Sequence, residues 1–257
     1  MAHTLDATSV NQSITPEVRK LSSDAPYRWL RKGWDDFRSN LGPSLSLGLL
    51  FVIAGYAITL ASWNTPVLTI TFVTGFLLVA PVLALGFYAL SRRREQGKAP
   101  RFKALVYSWR DYGWTVLLFG LLLGVVMVAW GRLTGLIVAV SLPAIGPYSN
   151  LLSWQTLATP EFFVLYFTAG LLLAALTFSL SVVSIPMLMD RKVDILTAAY
   201  TSLRAVKHNP GVMLRWAAII AILTFAAMAA GFVGLLISMP LIGHASWHAY
   251  REAVAES

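Results

Sequence analysis

Six long apolar runs, at about residues 43–61, 67–90, 114–140, 161–189, 211–230 and 232–250, constrain this chain more than any other feature. A run of roughly 20 apolar residues matches the hydrocarbon thickness of a bilayer at the rise of an α-helix. In lipid each backbone amide must be satisfied within its own segment, so such runs are helices. Barrel strands would be about half as long and would alternate in polarity. One soluble core cannot absorb so many such runs. Composition agrees: 57% of the residues are hydrophobic and 12% are charged, where a soluble domain carries about a quarter charged. The sequence therefore predicts an all-α, polytopic membrane protein with six transmembrane helices.

The runs come in pairs. Each pair follows a basic amphipathic stretch, at 27–40, 101–112 and 194–209. This predicts three repeated units of amphipathic elbow helix plus hairpin, at about 27–92, 101–191 and 194–251. The elbows end alike, in Phe37-Arg38-Ser39-Asn40, Trp109-Arg110-Asp111-Tyr112 and Val206-Lys207-His208-Asn209. The second run of each pair holds one internal proline: Pro81, Pro186 and Pro240. A proline there removes a backbone bond and kinks the helix. Three kinked helices could line a central cavity, as repeats do in many transporters.

In the first elbow Trp29, Leu30, Trp34 and Phe37 recur at helical spacing, between Arg28, Arg31, Lys32 and Asp35. Leu105, Trp109 and Tyr112 repeat the pattern, as do Ile195, Ala199, Leu203 and Val206. Such helices are expected in the head-group plane, apolar face toward lipid. Residues 211–250 as one helix would be about 60 Å long, roughly twice the hydrocarbon thickness. A tight hairpin near Ala230-Gly231 is the expected alternative.

The net charge of +8 is concentrated before the first run and in the two connections after the second and fourth runs. The connection at 62–66 has no charge, and the one at 141–160 has no Lys or Arg. Short basic loops stay cytoplasmic, so both termini are expected in the cytoplasm. Anionic lipid head groups are the partners such elbows attract, and nucleic acid is not expected. Residues 1–26 are polar with no apolar core, so no cleavable signal is expected and the first run would direct insertion. Residues 1–20 are expected to be a disordered cytoplasmic tail ahead of a transmembrane domain at 21–252.

Chemistry is sparse. Ionisable groups at mid-bilayer are the usual functional signal in a membrane protein, and the spans carry almost none. Cysteine is absent, which excludes disulfides and thiolate sites. No nucleophile elbow, P-loop or dinucleotide fingerprint occurs. The sharpest local feature is Gly243-His244-Ala245-Ser246-Trp247-His248-Ala249-Tyr250-Arg251. His244 and His248 are four apart and share a helix face. Such a pair can bind metal or face a haem, but no third ligand is evident. The expectation is no metal and no cofactor, with the histidines in an interfacial aromatic belt beside Trp247, Tyr250 and Arg251.

Four segments, 29–36, 81–93, 181–188 and 243–251, resemble a proteobacterial integral membrane family of unknown function. Some of its members are labelled as a cytochrome c oxidase subunit. The resemblance spans roughly residues 20–252 and implies a bacterial inner-membrane protein. A catalytic oxidase subunit needs several intramembrane histidines, and here only His244 and His248 lie in or near a span. The sequence thus points to a non-enzymatic accessory, assembly or scaffolding component, with a membrane-protein partner or a second copy of itself. The alternatives are a channel or transporter lined by the proline-bearing helices and, more weakly, a haem- or metal-binding respiratory accessory.

Overall fold

A computed structural model describes residues 16–99, 102–145, 157 and 159–255. Among them the chain is helical: α1 (Ala25–Ser39), α2 (Leu41–Ala61), α3 (Pro66–Leu83), α4 (Leu85–Glu95), α5 (Phe102–Ile145), α6 (Pro160–Ser181), α7 (Ser184–Asp190), α8 (Ile195–His208), α9 (Pro210–Ala229) and α10 (Leu235–Ala253). Among the described residues five stretches are long and apolar enough to cross a membrane: Leu41–Ala61, Pro66–Glu95, Trp114–Ser141, Pro160–Asp190 and Pro210–Ala229. The sixth run forms α10, which does not qualify because its second half carries His244, His248, Arg251 and Glu252.

Residues 210–253 fold as two helices. The turn between them uses Gly231 at φ 69° and Phe232 at φ 65°. A left-handed backbone suits glycine and strains phenylalanine. The Phe232 ring offsets that strain by packing on Gly55 and edge-on to Tyr56, 5.7 Å between centroids. Both ends of α9 mark its direction. Asn209 meets the N-terminal segment, whereas Ala227 touches Gly234 at the turn. α9 and α10 are therefore antiparallel, as expected of a hairpin.

α10 is the axis of the bundle. α1, α2, α4 and α9 all pack on it. Along α2 its partners descend from Ser44 opposite His244 to Gly48 opposite Leu236 and Gly55 opposite Phe232, so these two helices are antiparallel. A second layer is built on α5, which packs against α3, α4 and α6. Its core joins Val67, Leu78, Trp130, Ile137, Phe162 and Tyr166. Large apolar side chains such as Leu60, Leu121, Val125, Leu171, Leu172 and Phe225 point outward, the pattern of helices solvated by lipid rather than water.

Several expectations need correction. The second elbow is not separate: α5 runs unbroken from Phe102 to Ile145, through the amphipathic stretch and the span. Where the other elbows end, Asn40 and Asn209 leave helical geometry at φ −124°, ψ 33° and φ −130°, ψ 51°. Each turns its side-chain amide back on the carbonyl four residues earlier, of Asp36 and of Ala205. Pro43 or Pro210 follows, and prolines are favoured only near a helix start. Tyr112-Gly113-Trp114 has neither device, so the helix continues. The side chains of Leu105 and Trp109 lie outside the described residues.

The prolines also differ from one another. α3 gives way to α4 three residues after Pro81, and a break at Val182-Val183 precedes Pro186. α10 continues past Pro240. The first elbow does not lay its apolar face on lipid: Trp29 and Phe37 are buried against the bundle, with Trp29 edge-on to Trp216 at 5.6 Å. In α8 the buried face is the small one, Ala198, Thr201, Ser202 and Ala205, while Leu196, Tyr200 and Leu203 are exposed. Residues 1–15 of the expected tail lie outside the described residues. Its last part is ordered, because Val18 pairs with Val254 as an antiparallel bridge.

Candidate functional site

The polar chemistry of the molecule gathers at one end, around the last three turns of α10. Its innermost member is His244, which is fully buried. Nε2 lies 2.9 Å from the Ser44 hydroxyl on α2, and Nδ1 lies 2.7 Å from the Ser91 hydroxyl on α4. Both ring nitrogens are thus engaged, and one imidazole ties three helices. His248, one turn on, places Nε2 2.8 Å from Asp36 Oδ2. The other oxygen of Asp36 accepts from Arg94 at 2.6 Å. Burial pushes the Asp36 carboxyl up, but hydrogen bonds from His248 and Ser91 outweigh this and hold it below the ordinary 3.8.

The next turn of α10 carries Trp247, Tyr250 and Arg251. Trp247 Nε1 donates to Glu95 at 3.2 Å, and Arg251 pairs with Glu95 at 3.1 Å and Asp190 at 3.3 Å. Tyr250 donates to Asp190 at 2.8 Å and accepts from Arg191 at 2.9 Å. Arg92 closes the ring on Asp190 at 3.2 Å. At the last turn Glu252 accepts from Trp29 Nε1 at 2.9 Å and pairs with Arg28. Four carboxylates, Asp36, Glu95, Asp190 and Glu252, therefore hold α1, α4, α7 and α10 together at this end.

The termini join the same platform. The Arg19 amide donates to Ala253 at 2.8 Å, and the Ala255 amide donates to Glu17 at 2.9 Å. The Leu21 amide donates to Asn209 Oδ1 at 2.8 Å, which pins the segment to the start of α9.

The structure thus brings together His244, His248, Trp247 and Arg251, which the sequence had singled out, but not as an aromatic belt. Trp247 and Tyr250 are wholly buried, because the helix that carries them is enclosed by other helices rather than lying at the lipid surface. Pro81, Pro186 and Pro240 are not members of this cluster. The residues that sequence reasoning missed are the acids. Their signal was available: each sits within a few positions of an arginine at the polar end of an apolar run. Among the described residues no three of His, Asp and Glu are grouped so as to hold a metal ion.

A second polar feature lies beside the platform. A cleft of about 290 Å3 opens between α4 and α5, lined by Arg92, Arg93, Lys98, Tyr107, Asp111 and Tyr112 among others.

Residues 68–190 match the model of a family described as predicted integral membrane protein (DUF2189). Neither a curated protein nor a solved structure matches the chain. The match agrees with the five apolar helices in making this an integral, multi-pass membrane protein.

Proposed function

We propose that the chain is a non-catalytic protein of the bacterial inner membrane, acting as an accessory, assembly or scaffolding component. The observation that supports this best is what fills the axis. A pore along the bundle would need the position of α10, and that position is taken by Met239, His244, Trp247 and Tyr250, packed on their neighbours. The polar groups tie helices to one another, which suits a rigid platform.

α10 serves as the sixth crossing in this reading. It is shielded from lipid and so need not be as apolar as the outer helices. The antiparallel order of α9 and α10 then puts both termini on one side, and the basic connections beside them favour the cytoplasm. The shared asparagine break supports a common elbow-and-span plan in the first and third units. The exposed Leu196, Tyr200 and Leu203 of α8, flanked by Lys192 and Lys207, suit the head-group layer. The platform itself is the face on which a membrane-protein partner or a second copy would dock.

Purification in mild detergent, with mass spectrometry of co-purifying proteins and an absorption spectrum, tests the reading. A stoichiometric membrane-protein partner and a colourless preparation are expected. Ion or solute flux into liposomes above that of empty liposomes would favour a channel or transporter instead, and a Soret band a respiratory accessory.

A further inference from the structure

The cleft between α4 and α5 has an unbalanced charge. Arg92 is compensated by Asp190 at 3.2 Å, and Asp111 by Arg110 at 3.0 Å. Among the described residues no carboxylate pairs with Arg93 or Lys98. Arg93 Nη2 donates to the Ala99 carbonyl at 3.2 Å and Lys98 Nζ to Gln96 Oε1 at 2.8 Å, both neutral acceptors. Arg93 Nε is buried and has no acceptor among the described residues. A buried guanidinium N–H without a partner is costly and rare in a settled structure.

The backbone fixes the turn that carries these cations. α4 ends at Glu95, Gly97 takes φ 67°, and the Lys98 amide donates back to the Arg93 carbonyl at 2.9 Å. The two side chains therefore flank one tight turn. Tyr107 and Tyr112 line the cleft with them, with the Tyr112 hydroxyl held by Arg92 at 2.9 Å. A volume of about 290 Å3 accommodates a small anionic group, and fixed guanidinium and ammonium donors favour phosphate oxygens.

We propose that this cleft binds a phosphate ester. The site lies at the basic end of the apolar helices, so a phospholipid head group and a soluble phosphate are its two sources. The inference rests on the reading of that end as the membrane–water boundary.

The test uses the full chain in phosphatidylcholine nanodiscs doped with phosphatidylglycerol, with native mass spectrometry counting retained anionic lipid. Glycerol phosphate, added to the detergent-solubilised chain and followed by calorimetry, probes the soluble source. The double variant Arg93→Gln with Lys98→Gln should weaken binding about tenfold or more. The control, Lys192→Gln with Lys207→Gln, removes charge at and just before α8 and leaves the cleft intact.

Selective loss of phosphatidylglycerol in the cleft variant supports a lipid ligand. Loss of glycerol phosphate binding supports a soluble one. Equal binding by wild type and cleft variant, no binding of either probe, or equal loss in both variants overturns the proposal. Carbonate extraction reads the membrane assignment separately, since a chain released by carbonate fails that reading whatever the cleft does. Should the double variant misfold, Lys98→Gln alone carries the same comparison, because among the described residues its ammonium donates to the exposed, neutral Gln96.

Discussion

Asp36 joins three helices through one carboxylate, its own α1, α4 through Arg94 and α10 through His248. Its pKa is lowered, so the ionised form contributes stability that is fully present above the ordinary 3.8 and is lost as pH falls below it. Asp36→Asn should cost about 1–3 kcal/mol at neutral pH. The gap between wild type and variant in thermal midpoint should close only below that value. A gap that has already closed well above it would remove Asp36 from this role. His244 makes a second residue-scale case. As a belt histidine it would tolerate alanine. Buried between Ser44 and Ser91, it would not, because His244→Ala opens a cavity and takes the imidazole away from both hydroxyls. A loss of about 2–4 kcal/mol is expected, read as a lowered midpoint in detergent. A midpoint unchanged within a degree would contradict the structure. The sequence marked His244 by its spacing from His248, but its partners lie 200 and 153 positions away, beyond any local pattern.

Between elements, backbone contact matters more than side-chain volume. Pro240 cannot donate to the Leu236 carbonyl, so that oxygen lacks its helical partner. Gly48 of α2 lies directly on it: a Cβ there would sit 2.6 Å from the oxygen. Gly33 of α1 makes a similar approach, with a Cβ 2.7 Å from the Ala245 amide nitrogen. Gly48→Ala should therefore destabilise by about 1–3 kcal/mol, since the obstacle is backbone. Gly124→Ala on α5, where a Cβ would meet nothing within 4 Å, should be neutral or gain up to about 1 kcal/mol. Equal melting of the two variants would show that α2 and α10 do not meet at Gly48. These contrasts explain what the sequence could convey. Run lengths located the helices, and the turn at Gly231 was visible in the length argument. Which face each helix buries was not, because an apolar side chain suits lipid and protein core equally. Hence Trp29 and Trp247 read as interfacial and proved internal. Likewise the elbow breaks followed Asn40 and Asn209, while the apolar pattern alone also suggested a break at Tyr112.

At the scale of the whole molecule, the proposed topology turns on α10. Among the described residues five stretches qualify as spans on length and composition, and an odd number of crossings would put the termini on opposite sides. The packing favours an even number, with α10 as the proposed sixth crossing. α10 runs back along α9 and α2 for 19 residues, about 28 Å at the helical rise, which is close to the hydrocarbon thickness. Its last residues pair with the N-terminal segment through Val18 and Val254. A reporter fused after Ser257 and one fused before Met1 should therefore report the same compartment. The Lys/Arg asymmetry favours the cytoplasm as that compartment, and a reporter inserted at Asn150 should then be periplasmic. If the two termini report opposite compartments, α10 does not cross, and its pairing with the N-terminal segment cannot exist in the membrane. If they agree but face the periplasm, the packing stands and the charge argument fails. The two halves of the reading are thus separable by one set of three fusions.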